Sequence, residues 1–307
     1  MDLALLANLA GASVRIATPL LLAALGGVLS ERAGTFAVAI EGMMLAGAFG
    51  AAVATMWAGD PWLGLAAAMA AGFAVAALVA VATTRFGTDQ MVTGLAVNIL
   101  VLGLTSYLLR ALFGGRAPVI RFPVLQAWPV PGLSDIPLLG PALFNQPPLT
   151  YLAFGLTVPL GILLLHSRAG LLLRAAGENP EAVFATGADP VRIRAVAILG
   201  CGALAGLGGA ALALQQVGSF TDGMTHGRGF IALAALIVGR WAPVPVALAC
   251  LAFGLVSAVA LRAQGWGLPV SSYVVQMMPY VLALVGLAGI GSAARLPAGI
   301  GSAFRRG

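Results

Sequence analysis

Apolar runs of about twenty residues follow one another from residue 15 to residue 292, and a chain patterned in this way satisfies its backbone only as helices crossing a bilayer. The runs fall near 15–30, 34–57, 62–84, 90–109, 149–166, 194–215, 228–241, 243–262 and 270–292. They predict an all-α fold, a polytopic transmembrane bundle of about nine spans, with residues 1–307 forming a single membrane domain. Only 8% of the residues are charged, about a third of the share in a soluble domain. The apolar character extends along the whole chain, so neither a cleaved signal peptide nor a single anchor explains it. Residues 2–14, with Asp2, Asn8 and Ser13 among leucines and alanines and Arg15 just beyond, suit a short helix lying at the membrane interface.

All sixteen basic residues are arginine, and they sit singly or in pairs between the apolar runs. That is how topology signals are placed, and it builds no basic face with interleaved aromatics, so no nucleic-acid partner is expected and lipid is. If 167–193 is cytoplasmic, ten arginines lie inside (32, 85, 168, 174, 192, 194, 240, 295, 305 and 306) and five outside (110, 116, 121, 228 and 262). The C-terminus is then cytoplasmic and the N-terminus external. Cys201 and Cys250 lie inside apolar runs and read as buried small hydrophobes. His166 and His226 have no Cys or carboxylate at ligand spacing, so no metal site is expected.

Two connections are long. Segment 111–148 holds eight of the eighteen prolines and is expected to be an irregular external loop across the bundle. Segment 167–193, with Arg194 at its edge, gathers Arg168, Arg174, Glu178, Glu181, Asp189 and Arg192 into a hydrophilic cytoplasmic loop. Within it Asn179 caps, Pro180 suits a first turn and Glu181 complements a positive helix end, so a short amphipathic helix runs to Gly187. Such a helix is either a docking device for a soluble partner or a solvated loop that happens to be helical. Gly202, Gly206 and Ala210 place a small residue at every fourth position, which lets helices approach closely. Eleven residues separate Arg228 from Arg240, and Gly223, Gly227 and Gly229 precede or open that span, so a short or broken helix is expected there.

The stretch GENPEAVFATGADPVRIRAVAILGCGALAGLGGA, residues 177–210, resembles the cytoplasmic coupling loop of bacterial ABC-importer permeases. LSERAGTFAVAIEGMMLAGAF (29–49), TDQMVTGLAVNILVLGLTSYL (88–108) and GRGFIALAALIVGRWAP (227–243) resemble further blocks of the same group, in its order. That group serves simple sugars, branched-chain amino acids and nucleosides. Glu-Arg-x-Gly at 31–34 and Glu-Gly-Met-Met at 41–44 make the chain most like its purine-nucleoside branch. The resemblance implies a type II ABC-importer permease-like fold in the bacterial inner membrane, and a nucleoside importer working by alternating access. It also implies a second permease (a related chain or a second copy), ABC ATPase subunits, and a periplasmic or lipoprotein substrate-binding protein. Sugar-type relatives carry an additional N-terminal span, which this chain is expected to lack.

By the same resemblance Gly177, Glu178, Asn179, Glu181, Ala182 and Gly187 belong to the helix that couples to the ATPase. ATP and Mg are expected on that partner and no cofactor on this chain, which has no GxxxxGK[ST] cradle and no lysine, and is not itself an enzyme. A sugar or branched-chain amino acid permease is the alternative within the class. An ion-coupled secondary transporter is the alternative outside it, since the segments starting near 34 and 228 are weakly alike and run in opposite directions.

Glu41 is the sharpest intramembrane residue, placed roughly 12 Å into a helix starting near residue 33. It either meets a ribose hydroxyl or base edge, or is paired with Arg32 or Arg15, or is protonated. Gln90, Thr93 and Asn98 either line the same pathway or glue helices together. Phe36, Met43, Met44 and Phe230 either line an aromatic slot for a base or pack.

Overall fold

A computed structural model describes residues 3–114, 120–134, 136, 140–263, 272–290 and 296–302. Asp2, Arg116, Arg295, Arg305 and Arg306, used in the sequence reading, lie outside the described residues. The helices are α1 (Leu3–Arg32), α2 (Ile40–Ala58), α3 (Pro61–Ala80), α4 (Gln90–Phe113), α5 (Pro148–His166), α6 (Arg168–Glu178), α7 (Pro180–Ala185), α8 (Pro190–Ala210), α9 (Arg228–Val238), α10 (Pro243–Ala263) and α11 (Ser272–Ile290). Single π-helical turns extend α3 over Val81–Arg85 and α8 over Ala211–Val217. Among the described residues, seven helices are long and apolar enough to cross a membrane, and two apolar helices, Arg228–Val238 and Met277–Gly286, are shorter. The chain is thus a multi-pass membrane protein. The expected count of nine is met only if both shorter helices are included.

Two expectations change. The interfacial helix at 2–14 is not a separate element, because residues 3–14 continue directly into the first span as one 30-residue helix. Ser13 turns its hydroxyl back on the Leu9 carbonyl (2.8 Å), and Ala7, Val14 and Ala17 are buried. Gly254 of α10 lies where a side chain would strike the Ser13 carbonyl. A packed helix has replaced an amphipathic one. The second span begins at Ile40 and not at residue 34, because residues 33–39 are not helical.

Helices α1, α2 and α8 form the buried centre, where Leu21, Leu22, Leu25, Met44 and Leu212 are almost wholly enclosed. The small residues earn this closeness: Gly202 lies on Gly72 of α3, Gly206 on Ala68, and Gly209 on the Met44 carbonyl, with no room for a Cβ at any of the three. Outside this centre α3, α4 and α5 expose Leu78, Ile99 and Leu165, as helices solvated by acyl chains do.

The long loop is tied down by two short antiparallel ladders. β1 (Ile120–Arg121) pairs with β4 (Ser219–Phe220), with Ile120 opposite Phe220. β2 (Trp128–Pro129) pairs with β3 (Asn145–Gln146), with Trp128 opposite Gln146. Leu125 N–H also donates to the Leu214 carbonyl (2.9 Å), inside the π-helical turn. The bundle therefore has two ends. One carries this loop, and the other carries α6, α7 and residues 296–302.

Candidate functional site

A helix interrupted inside a membrane bundle must have its freed backbone groups taken up by protein. The break at 33–39 does this with side chains from far along the chain. Phe36 N–H donates to Gln90 Oε1 (2.8 Å), Ala37 N–H to Glu31 Oε1 (3.3 Å) and Gly42 N–H to Asn98 Oδ1 (2.8 Å). The Val38 carbonyl accepts from Asn98 Nδ2 (2.9 Å), and the Ala33 carbonyl from Arg194 Nε (3.2 Å). Ser30 and Thr35 close the loop on each other, with Thr35 Oγ1 donating to the Ser30 carbonyl (2.8 Å).

Residues 239–242 turn against the same break. Arg240 and Trp241 both have left-handed φ, 54° and 55°, which non-glycine residues rarely adopt. The turn is gripped from α1: Trp241 Nε1–H donates to Glu31 Oε2 (2.6 Å), Arg32 Nε donates to the Trp241 carbonyl (3.0 Å), and Arg32 Nη2 to that of Arg240 (3.3 Å). Glu31 and Trp241 are buried.

Glu41 lies in the first turn of α2 and not two turns into a helix, because α2 starts at Ile40. Its Oε1 accepts from Gly227 N–H (2.8 Å) and its Oε2 from Gly229 N–H (2.6 Å), the first turn of α9. Two helix N-termini, each with positive partial charge, thus converge on one carboxylate. Gly229 has no room for a Cβ against Glu41, so the approach requires glycine. The half-length α9 is the broken helix that the closely spaced Arg228 and Arg240 predicted.

The coupling loop reaches the break from the other side. Ser167 caps α6 through Gly170 N–H (3.0 Å), and Asn179 caps α7 through Ala182 N–H (3.0 Å). Gly187, at φ 87°, stops the chain after α7. Glu178, Asn179, Glu181, Ala182 and Gly187 are exposed, whereas Val183 is buried beneath α7. Gly177 is buried as well, lying against the Arg32 carbonyl and Gly34. It is therefore a seat for the loop and not part of its exposed face.

Arg194 joins these parts. It is 3% exposed, and its guanidinium has no carboxylate partner among the described residues. Besides Ala33 it reaches the carbonyls of Ala176 (3.4 Å), Gly299 (3.1 Å) and Ser302 (2.6 Å). Segment 296–302 closes the arrangement, with Gly299 N–H donating to the Gly177 carbonyl (2.8 Å), Gly301 N–H to that of Gly34 (3.3 Å), and Ala298 N–H to Glu178 Oε2 (3.2 Å).

The residues read from sequence as pathway candidates separate accordingly. Gln90, Asn98 and Glu41 are committed to backbone groups. Thr93 bonds to Thr88 (2.8 Å) on an open groove of α4, and Met44 is core. Phe36 lies half-buried beside Gly301, and Phe230 is exposed on α9. None of the seven lines the cavity between α1, α9, α10 and α11. Sequence reading missed Arg194, Trp241 and the paired role of Glu31 and Arg32. An arginine carried past the Asp189 cap into an apolar run was the available signal for Arg194.

Residues 9–286 match the family described as branched-chain amino acid transport system / permease component. The chain belongs to that family. As a member it is the permease of an ABC importer, and an ion-coupled carrier is set aside. The guanosine ABC transporter permease protein NupQ of Bacillus subtilis is 35% identical, with 96% of each chain covered. The nucleoside ABC transporter permease protein NupC of Lactococcus lactis is 35% identical over 88% of each. A Haloferax volcanii protein named provisionally as the glucose ABC transporter permease TsgC13 is 37% identical over 85% of this chain and 79% of its own. No solved structure gives a significant match.

Proposed function

We propose that this permease imports a nucleoside, driven by ATP hydrolysis on a separate ABC ATPase that docks on Glu178, Asn179, Glu181, Ala182 and Gly187. In this reading ATP and Mg stay on the ATPase, a periplasmic or lipoprotein binding protein delivers substrate, and a second permease completes the pathway. The membrane is the bacterial inner membrane, with the α6–α7 end and the C-terminus cytoplasmic and the N-terminus external.

The observation that carries the coupling reading is the seating of Gly177 and Arg194 on the break at 33–39. Because the loop's base touches Arg32, Ala33 and Gly34, displacing α7 pushes on the break, on the Trp241 turn that Glu31 and Arg32 hold, and so on α9. Rigid elements on either side of the break would then reorient as bodies, which is what alternating access requires. The nucleoside reading is supported by the relatives named for guanosine and nucleoside transport. The relative named for glucose favours a sugar as the second reading.

Uptake of labelled inosine by cells carrying the complete importer tests the assignment. Uptake should collapse on ATP depletion and be competed by unlabelled nucleosides but not by glucose or leucine. Competition by glucose alone would replace the nucleoside with a sugar.

A further inference from the structure

The cavity between α1, α9, α10 and α11 has a volume of about 440 Å³, within the range of small-molecule sites. It lies at the N-terminal end of α9. Gln216, His226, Arg228, Ser257 and Tyr280 converge on it between apolar side chains of α1 and α10. Arg228 is only partly exposed there, and a cation withdrawn from water is costly and calls for a use.

Capping does not supply that use, and the Glu41 carboxylate acts on Arg228 only through space. The N–H groups of Gly227 and Gly229 at the start of α9 are taken by Glu41. Among the described residues the guanidinium of Arg228 makes one hydrogen bond, from Nη1 to Gln216 Oε1 (3.1 Å), and no ion pair. Of its five N–H donors, four remain. Gln216 is itself held by donating from Nε2 to the Arg15 carbonyl (2.6 Å), so the guanidinium is oriented before any ligand arrives. Tyr280 is fixed too, since it donates its hydroxyl to the carbonyl of His226 (2.8 Å), a residue at φ 45°. Strained backbone held in this way is a mark of binding sites.

We propose that this cavity reads the base of the transported nucleoside, and that Arg228 makes it selective for 6-oxopurines. The proposal rests on the nucleoside reading above. A planar guanidinium matches two adjacent acceptors. A 6-oxopurine shows its O6 and N7 side by side, whereas adenine puts an amino donor next to N7 and turns it toward other donors. The ring of Tyr280 offers a face on which a base stacks, and Ser257 and His226 line the same cavity. The Ser257 hydroxyl donates to the Phe253 carbonyl (2.8 Å) and keeps its lone pairs to accept from a ribose.

The test compares initial uptake of labelled inosine and adenosine, each well below saturation, in cells with the complete importer and either wild-type chain or Arg228→Lys, with membrane levels matched. Lysine keeps the charge and loses the fork. The delivering protein is the same in both strains, so a change in the inosine-to-adenosine ratio belongs to this chain. The ratio should fall about tenfold, the effect of losing one bidentate base contact. An unchanged ratio overturns the proposal whether or not total uptake falls. Arg228→Gln is the second variant if lysine prevents insertion.

Occupancy is read independently in a Ser257→Cys chain, whose maleimide labelling should be slowed by inosine and guanosine but not by adenosine. Protection by adenosine, or by cytidine with its own O2 and N3 acceptor pair, in place of inosine overturns the 6-oxopurine assignment. Wild-type cells that take up nucleosides with no preference for inosine defeat this proposal alone. Cells that take up none defeat the nucleoside reading and this proposal with it.

Discussion

Replacing Gly177 by alanine adds one methyl at the place where the coupling loop meets the break. An ideal Cβ there falls well inside 3.0 Å of the Arg32 carbonyl oxygen, at 3.0 Å from that carbonyl carbon and at 3.1 Å from the Gly34 nitrogen. All three atoms are backbone, so no rotamer change relieves the contact. Ordinary contact begins near 3.4 Å, which leaves the loop about 1 Å too close and the contact costing about 1–3 kcal/mol. At 1.4 kcal/mol per tenfold, the seated state weakens by roughly 5- to 150-fold. The membrane spans are untouched, so insertion and amount in the membrane should match wild type. The assay is substrate transported per ATP hydrolysed by the reconstituted importer, which should fall at least about fivefold by the same reckoning. Gly161→Ala on α5, where a Cβ meets nothing within 4 Å, is the control and should change nothing. A Gly177→Ala importer with full transport per ATP would refute the claim that this seat transmits motion.

Glu41→Gln replaces an acceptor beside Gly229 N–H with an amide that offers one oxygen for two donors, and should cost about 1 kcal/mol of capping at α9. Uptake should fall by the same factor for every substrate, measured as Vmax with KM ratios unchanged. A loss confined to one nucleoside would make Glu41 a substrate contact. Arg194→Gln leaves several backbone carbonyls short of partners and should destabilise by about 3 kcal/mol, seen as a lowered Tm of the purified permease and faster proteolysis near 296–302.

The spans were legible because length and apolarity alone set them, and α3, α4, α5, α10 and α11 lie within a few residues of their predicted limits. The short α9 was legible from its flanking arginines and glycines. The break at 33–39 was not, because Phe36-Ala-Val-Ala-Ile reads as more helix and the groups that satisfy it, Gln90, Asn98 and Arg194, come from 54 to 161 positions away. The partner of Glu41 was hidden for a related reason. It is backbone N–H, which every residue offers and no sequence pattern marks. The exposed half of the coupling loop was readable from Asn179, Pro180 and Glu181. The buried role of Gly177 depends on Arg32 and Gly34, which only the fold brings to it.

Cys201 and Cys250 are both buried, so a cysteine placed at Glu181 reports alone. Its labelling by a membrane-impermeant maleimide, in intact cells and in inside-out vesicles with and without the ATPase, puts the proposed coupling helix directly to the test. Labelling should occur only in the vesicles and be blocked once the ATPase is bound. Labelling in intact cells, or equal labelling with the ATPase present, would contradict the account.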